Sequence, residues 1–103
     1  MMTPLTAADG HSFECWMAQA QGEARGGIVI LQEIFGITDQ LKGVAARYAA
    51  LGNNVAIPAL FDRQERGTVV PFDKGAIGRE LMLAAKLDET MADVAATIDA
   101  LRA

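Results

Sequence analysis

The run Gly27-Ile28-Val29-Ile30-Leu31-Gln32 constrains this chain more than any other stretch. Its apolar, largely β-branched residues follow one another without the polar alternation of a half-exposed strand, the pattern of a strand covered on both faces. Such strands belong to parallel sheets with helices above and below. The next residues fit that form. Thr38 or Asp39 can cap a helix in which Leu41, Val44, Ala45, Tyr48, Ala49 and Leu51 recur at helical spacing. Gly52 stands where a left-handed cap would end it. Val55-Ala56-Ile57-Pro58 is a second apolar strand that stops at its proline. Strand, helix and strand within roughly thirty residues make a βαβ unit, a crossover that is right-handed in nearly every known case.

The flanks are less regular. From His11 to Ala18 the chain alternates, with Phe13, Cys15 and Met17 on one side and Glu14, Trp16 and Ala18 on the other, which predicts a short strand in an early hairpin or edge position. Gln21 to Gly27 reads as a glycine-rich turn, and Phe61 to Asp73 as a polar loop broken by Gly67 and Pro71. A helical pattern resumes near Ala76 and predicts two helices with a bend near Leu87-Asp88. Leu81, Met82 and Ala85 mark the first; Asp88 caps the second, which carries Met91, Val94, Ala95, Ile98 and Leu101. The stripes Leu41/Val44/Tyr48 and Met91/Ala95/Ile98 are expected to face the core, and Asp88, Glu89 and Asp93 to form a solvated acidic face. In a doubly wound sheet the Gly27–Gln32 strand is central, yet the strands available leave one of its edges without a neighbour. The expected fold is an incomplete α/β sheet.

Composition narrows the function classes. The 103 residues set a prior of one domain, and 51% hydrophobic with 21% charged residues is a globular composition. A net charge of −4 argues against a nucleic-acid surface, which usually carries a basic stripe. The single cysteine, Cys15, excludes an intramolecular disulfide or a multi-cysteine zinc site, and the single histidine, His11, leaves little for a histidine-rich metal site. Neither a basic leader nor an apolar run of membrane-spanning length is visible, so a soluble cytoplasmic protein without a membrane partner is expected. The glycines of Gly22-Glu23-Ala24-Arg25-Gly26-Gly27 precede the strand, so they cannot cradle a phosphate at a strand-to-helix turn, and no cofactor is implied.

Leu31-Gln32-Glu33-Ile34-Phe35-Gly36, coming after a glycine-rich turn and an apolar strand, resembles the motif that opens the dienelactone hydrolase family, a branch of the α/β-hydrolases. Tyr48-Ala49-Ala50-Leu51-Gly52 followed by Val55-Ala56-Ile57-Pro58-Ala59-Leu60-Phe61 looks like that family's second parallel strand and its exit. The resemblance covers nearly all of the chain but only about the first two-fifths of a family member. It implies that residues 1–103 form the N-terminal part of a single α/β-hydrolase domain.

The implied chemistry is hydrolysis of an ester or lactone by a cysteine, aspartate and histidine triad, with the cysteine at a strand-to-helix elbow. That elbow follows the last helix seen here, so the chain alone is expected to be inactive. Cys15 precedes the first parallel strand and lacks a Gly-x-Cys-x-Gly setting, and no base–orienter arrangement can be built around it and His11. It reads as a buried structural thiol. The resemblance puts the Ile34 backbone N–H in the oxyanion hole, where a donor stabilises charge developing in acyl transfer. It makes Glu33 the carboxylate that contacts the resting thiol; an exposed strand-end residue is the bland alternative. Arg79, in Gly78-Arg79-Glu80-Leu81, matches an arginine that pairs with a substrate carboxylate, the alternative being a helix-face ion pair. Phe35 is a further candidate substrate contact, while Arg63 and Arg66 read as surface charge. Ala59 and Leu83 stand where the family has an aspartate and a tyrosine, which argues against dienelactone itself as substrate. The competing reading is a non-catalytic α/β module that completes its sheet by pairing with itself or another chain through the open edge.

Overall fold

The computed structural model describes residues 1–102. Strands β1 (Met2–Thr6), β2 (Ser12–Ala18), β3 (Gly26–Val29) and β4 (Asn53–Pro58) form one mixed sheet in the order β1-β2-β4-β3. β1, β2 and β4 are antiparallel neighbours, while β3 and β4 run parallel with Ile28 opposite Val55. Helix α1 (Asp39–Ala50) connects the parallel pair, and α2 (Gly75–Ala84) and α3 (Leu87–Arg102) follow a short 3₁₀ turn at Phe72–Lys74.

Two layers of side chains explain why the alternation in β2 mattered. Phe13 and Cys15 are fully buried with Ala7 and Ala56 on the face covered by α3, where Met17, Ala92, Ala96 and Leu101 pack against them. Trp16 and Ala18 point the other way, into a cluster of Ile37, Ala45, Ala49, Val55 and Ile57 under α1. The α1 caps are as expected. Thr38 accepts a hydrogen bond from the Leu41 N–H at 3.2 Å, and Gly52 takes a φ of +97° just past the helix.

Several expectations need correction. The completely buried Val55, Ala56 and Ile57 belong to the interior strand β4, whereas β3 has one unpaired edge among the described residues, as the strand count implied, and so is not central. It is apolar because α3 covers it as well: Leu101 sits where a Cβ at Gly27 would touch it, at 3.5 Å. The strand also ends early. Ile30 still donates to Ala56 O at 2.9 Å, but Leu31 is exposed and Gln32 has left the ladder. The hairpin partner β1 was not read from the sequence; Pro4 within it is tolerable because β1 is an edge strand.

The α1 stripe holds at Leu41, Val44, Ala45 and Ala49 but not at Tyr48 and Leu51, and the α3 stripe is shifted. On α1 the buried residues are Ala45 and Ala49, while Tyr48 and, just beyond the helix, Leu51 are exposed. On α3 the fully buried positions are Asp93 and Thr97, with Met91 and Ile98 outward. Small residues let each helix lie close to the sheet. Of the acidic face expected on α3, Asp88 is exposed and Glu89 partly so, but Asp93 is buried and ion-paired. The break between α2 and α3 falls at Ala85-Lys86, which leaves Asp88 inside the first turn of α3, where its charge favours the helix dipole.

Candidate active site

The carboxyl ends of the parallel strands β3 and β4 diverge, and the gap between them is a cavity of about 170 Å³. Open α/β sheets bind ligands at this end. The cavity is lined by Gln32, Glu33 and Ile34 after β3, by Leu60 and Phe61 after β4, and by Met82, Ala85 and Thr90 from the helical layer. A larger open groove, about 800 Å³, passes Ala18, Gln19, Asn54 and Leu101 at the opposite ends of the same strands.

Where the backbone ladder stops, a side chain bridges. Gln32 Oε1 accepts from the Leu60 N–H at 2.8 Å, and Gln32 Nε2 donates to the Glu33 carbonyl at 3.1 Å. The chain then turns. Gly36 N–H reaches back to the same Glu33 carbonyl at 3.4 Å, and Gly36 adopts a φ of +85°. A Cβ there would overlap the Thr68 carbonyl oxygen, so only glycine fits this crossing of the two loops. Val70 N–H donates to the Phe35 carbonyl at 2.9 Å on the far side of the turn.

Ile34 sits in this turn, outside both ladder and helix. Among the described residues its N–H has no acceptor. Its carbonyl side is held by α2, which approaches so closely that any Cβ at Gly78 would overlap the Ile34 carbonyl oxygen. Gly78 is buried for this reason, and it costs the helix about 1 kcal/mol of propensity relative to alanine. The result is a backbone donor fixed at the rim of a cavity.

The other candidate residues are placed as follows. Glu33 lines the cavity, but its carboxylate is exposed and has no ion-pair or hydrogen-bond partner among the described residues. Phe35 does not line the cavity; its ring packs edge-on against Phe72 at 4.8 Å between centroids. Arg79 is exposed on α2 away from the cavity lining, and among the described residues it forms no ion pair, with Glu80 or any other group. Cys15 is completely buried under α3, and desolvation pushes its thiol up to about 11, the opposite of an activated nucleophile. His11 stacks on Phe13 at 6.3 Å between ring centroids.

Arg63, read from sequence as surface charge, is instead the hub of an ion-pair cluster. Its guanidinium contacts Asp93 at 2.8 Å, Asp9 at 2.8 Å and Glu89 at 3.6 Å, and its pKa is raised by Asp9 first and Asp93 second. Arg66 donates to the Ser12 carbonyl. Asp62 was missed altogether. It is buried next to Arg63, and its two oxygens accept from the Glu14 and Gly67 N–H groups at 2.8 Å and 2.9 Å. Aspartate at that position was the available signal, since aspartate commonly organises loop backbone.

The family model for the dienelactone hydrolase family matches residues 13–103. The chain belongs to the dienelactone hydrolase family. Among curated proteins it is 36% identical over 67 residues to a protein of Azospirillum brasilense provisionally named a carboxymethylenebutenolidase, covering 64% of this chain and 29% of the relative. A solved structure called m3DLH superposes on 100% of this chain with a TM-score of 0.73 at 26% identity. Another, from Klebsiella pneumoniae and provisionally named a dienelactone hydrolase, covers 92% of this chain with a TM-score of 0.66 at 23% identity, a likeness of fold. The chain spans 42% and 41% of the length of those two structures. No helix among the described residues is long and apolar enough to cross a membrane.

Proposed function

We propose that this chain is the N-terminal part of a single α/β-hydrolase domain that cleaves an ester or lactone by nucleophilic catalysis. In this reading the chain carries the oxyanion side of the site. The Ile34 N–H is one of two donors to the oxygen of the tetrahedral intermediate, and Glu33 is the carboxylate beside the attacking thiol. The cysteine, histidine and aspartate come from the remainder of the full-length protein, and residues 1–103 alone do not turn over substrate. The observation that carries the proposal is the Ile34 N–H: a backbone donor without an acceptor among the described residues, at the rim of a cavity beyond the carboxyl ends of two parallel strands. The exposed apolar side chains of Leu31, Met82, Leu83, Leu87 and Met91 support a partial domain, because so much outward aliphatic surface fits a face that further chain covers. Arg79 and Phe35 enter the reading through the family resemblance alone, as contacts of a substrate that extends beyond the cavity.

The test is hydrolysis of p-nitrophenyl acetate by the full-length protein with Ile34 replaced by its α-hydroxy acid analogue. This swap deletes one N–H and leaves every side chain in place. Losing an oxyanion donor costs about 10²–10³-fold in kcat. A kcat unchanged by the swap, or a full-length protein without esterase activity, refutes the assignment.

A second reading has one observation behind it. The outer edge of β3 is unpaired among the described residues, and such an edge can pair with another copy. Sedimentation distinguishes the two: association that rises with concentration and is abolished by Val29→Pro favours the non-catalytic module.

A further inference from the structure

We infer that Gln32 is a positioning residue for the Ile34 donor: its side-chain amide fixes the plane of the Glu33–Ile34 peptide and thereby aims the N–H. The inference rests on the oxyanion reading above and extends it to a side chain. Its basis is covalent. The Glu33 carbonyl and the Ile34 N–H belong to one peptide unit, which is trans, so they point in opposite directions. Whatever holds the carbonyl sets the direction of the N–H. Gln32 Nε2 holds it at 3.1 Å, assisted by the longer Gly36 N–H contact at 3.4 Å.

The amide has a second tie that makes the first one rigid. Gln32 Oε1 accepts from the Leu60 N–H at 2.8 Å, so the side chain is anchored to the exit of the central strand β4. One glutamine thus spans the gap where β3 and β4 part and relates the donor to the best-buried strand of the sheet. Glutamine suits the post because it offers an acceptor and a donor at one planar group. A donor is useful in catalysis only if it needs no reorientation as charge develops. An untethered Glu33–Ile34 peptide at a turn would rotate and lose that advantage.

The experiment uses the full-length protein and p-nitrophenyl acetate, with three changes: Gln32→Ala, Gln32→Glu and the α-hydroxy acid swap at Ile34, singly and combined. Gln32→Ala is expected to lower kcat by about tenfold or more, part of the loss from deleting a donor outright, with little change in KM. Gln32→Glu keeps an acceptor for Leu60 but faces the Glu33 carbonyl with a carboxylate oxygen. Once protonated, the introduced carboxyl donates again. Its kcat relative to the parent should therefore recover as pH falls through the introduced group's pKa, ordinarily about 4.3. Combining Gln32→Ala with the swap should cost no more than the swap alone.

If the swap lowers kcat but Gln32→Ala does not, or if the two losses multiply, Gln32 does not act through Ile34 and the inference fails while the oxyanion reading stands. If the swap has no effect, the reading itself fails. Should Gln32→Ala not fold, the Gln32→Glu pH profile decides: a flat ratio to the parent overturns the inference.

Discussion

Arg63 grips both carboxylate oxygens of Asp93, with Nε at 3.1 Å and an Nη at 2.8 Å, and joins the loop after β4 to the buried side of α3. The Asp93 side chain is 1% exposed and that of Arg63 12%, so this is a buried pair and not a surface bridge. Removing one partner of such a pair strands the other charge, which typically costs about 3–5 kcal/mol. Arg63→Ala should therefore lower urea-unfolding stability by that order. Replacing both partners, as Arg63→Met with Asp93→Leu, should recover most of the loss, because an apolar pair of similar size is often as stable. A single substitution that left the urea midpoint in place would show that solvent reaches Asp93.

The same guanidinium predicts an acid sensitivity. Arg63, first among the causes, holds the Asp9 carboxyl below its ordinary value, with the His11 N–H helping. A group whose folded-state pKa is depressed stabilises the fold above its unfolded value, about 3.9 for aspartate, and loses that contribution as pH falls through the folded value. Stability should thus fall below about pH 4 more steeply in the parent than in Asp9→Asn, as measured by urea midpoints across the acid limb. Parallel curves would mean that Asp9 contributes nothing to the acid response.

Cys15 predicts the mirror case at high pH. Burial raises its thiol from an ordinary 9.0 to about 11. The neutral form is favoured in the fold, so its contribution is fully present below pH 9 and is lost as pH rises through the folded value. A thiol-exchange reagent at pH 8 should label the native protein slowly and the urea-unfolded protein fast. Fast stoichiometric labelling of the native state would make Cys15 a reactive group after all.

What the sequence disclosed, and what it hid, divides by range. The phase of β2, the Thr38 cap and the Gly52 cap are set by neighbours a few residues away, and each was legible. So was the hexapeptide from Leu31, because its meaning lies in its own order. Asp93 was misread as solvated because its partner lies 30 residues away, in a loop that looked merely polar. The α1 stripe was legible at Ala45 and Ala49 and misread at Tyr48, and that on α3 was misread at Met91 and Ile98, because hydrophobicity favours large side chains where close packing selects small ones such as Thr97. Gln32 was legible as part of that hexapeptide, but nothing local marked its side-chain contacts. Its partner Leu60 is 28 residues on, and only the parting of two strands gives the amide a task.

Two glycines make the close approach of α2 to the proposed donor measurable, because the same substitution should act with opposite signs at each. Gly43 lies mid-way along α1, and a Cβ there would meet nothing within 4 Å. Gly43→Ala should raise stability by about 0.5–1 kcal/mol, through helix propensity and a less flexible unfolded chain. Gly78 carries the same propensity gain, but a Cβ there would overlap the Ile34 carbonyl oxygen and lie 3.1 Å from the Ile34 side chain. Backbone cannot swing aside as a side-chain tip can. Overpacking of that kind costs about 1–3 kcal/mol, so Gly78→Ala should lower the urea midpoint despite alanine's better helix propensity. It should also displace the Ile34 amide resonance in a ¹⁵N spectrum, while Gly43→Ala leaves that resonance where it was. If both substitutions stabilise the protein alike, α2 does not press on Ile34, and the turn that bears the donor is held by Gln32, Gly36 and Val70 alone.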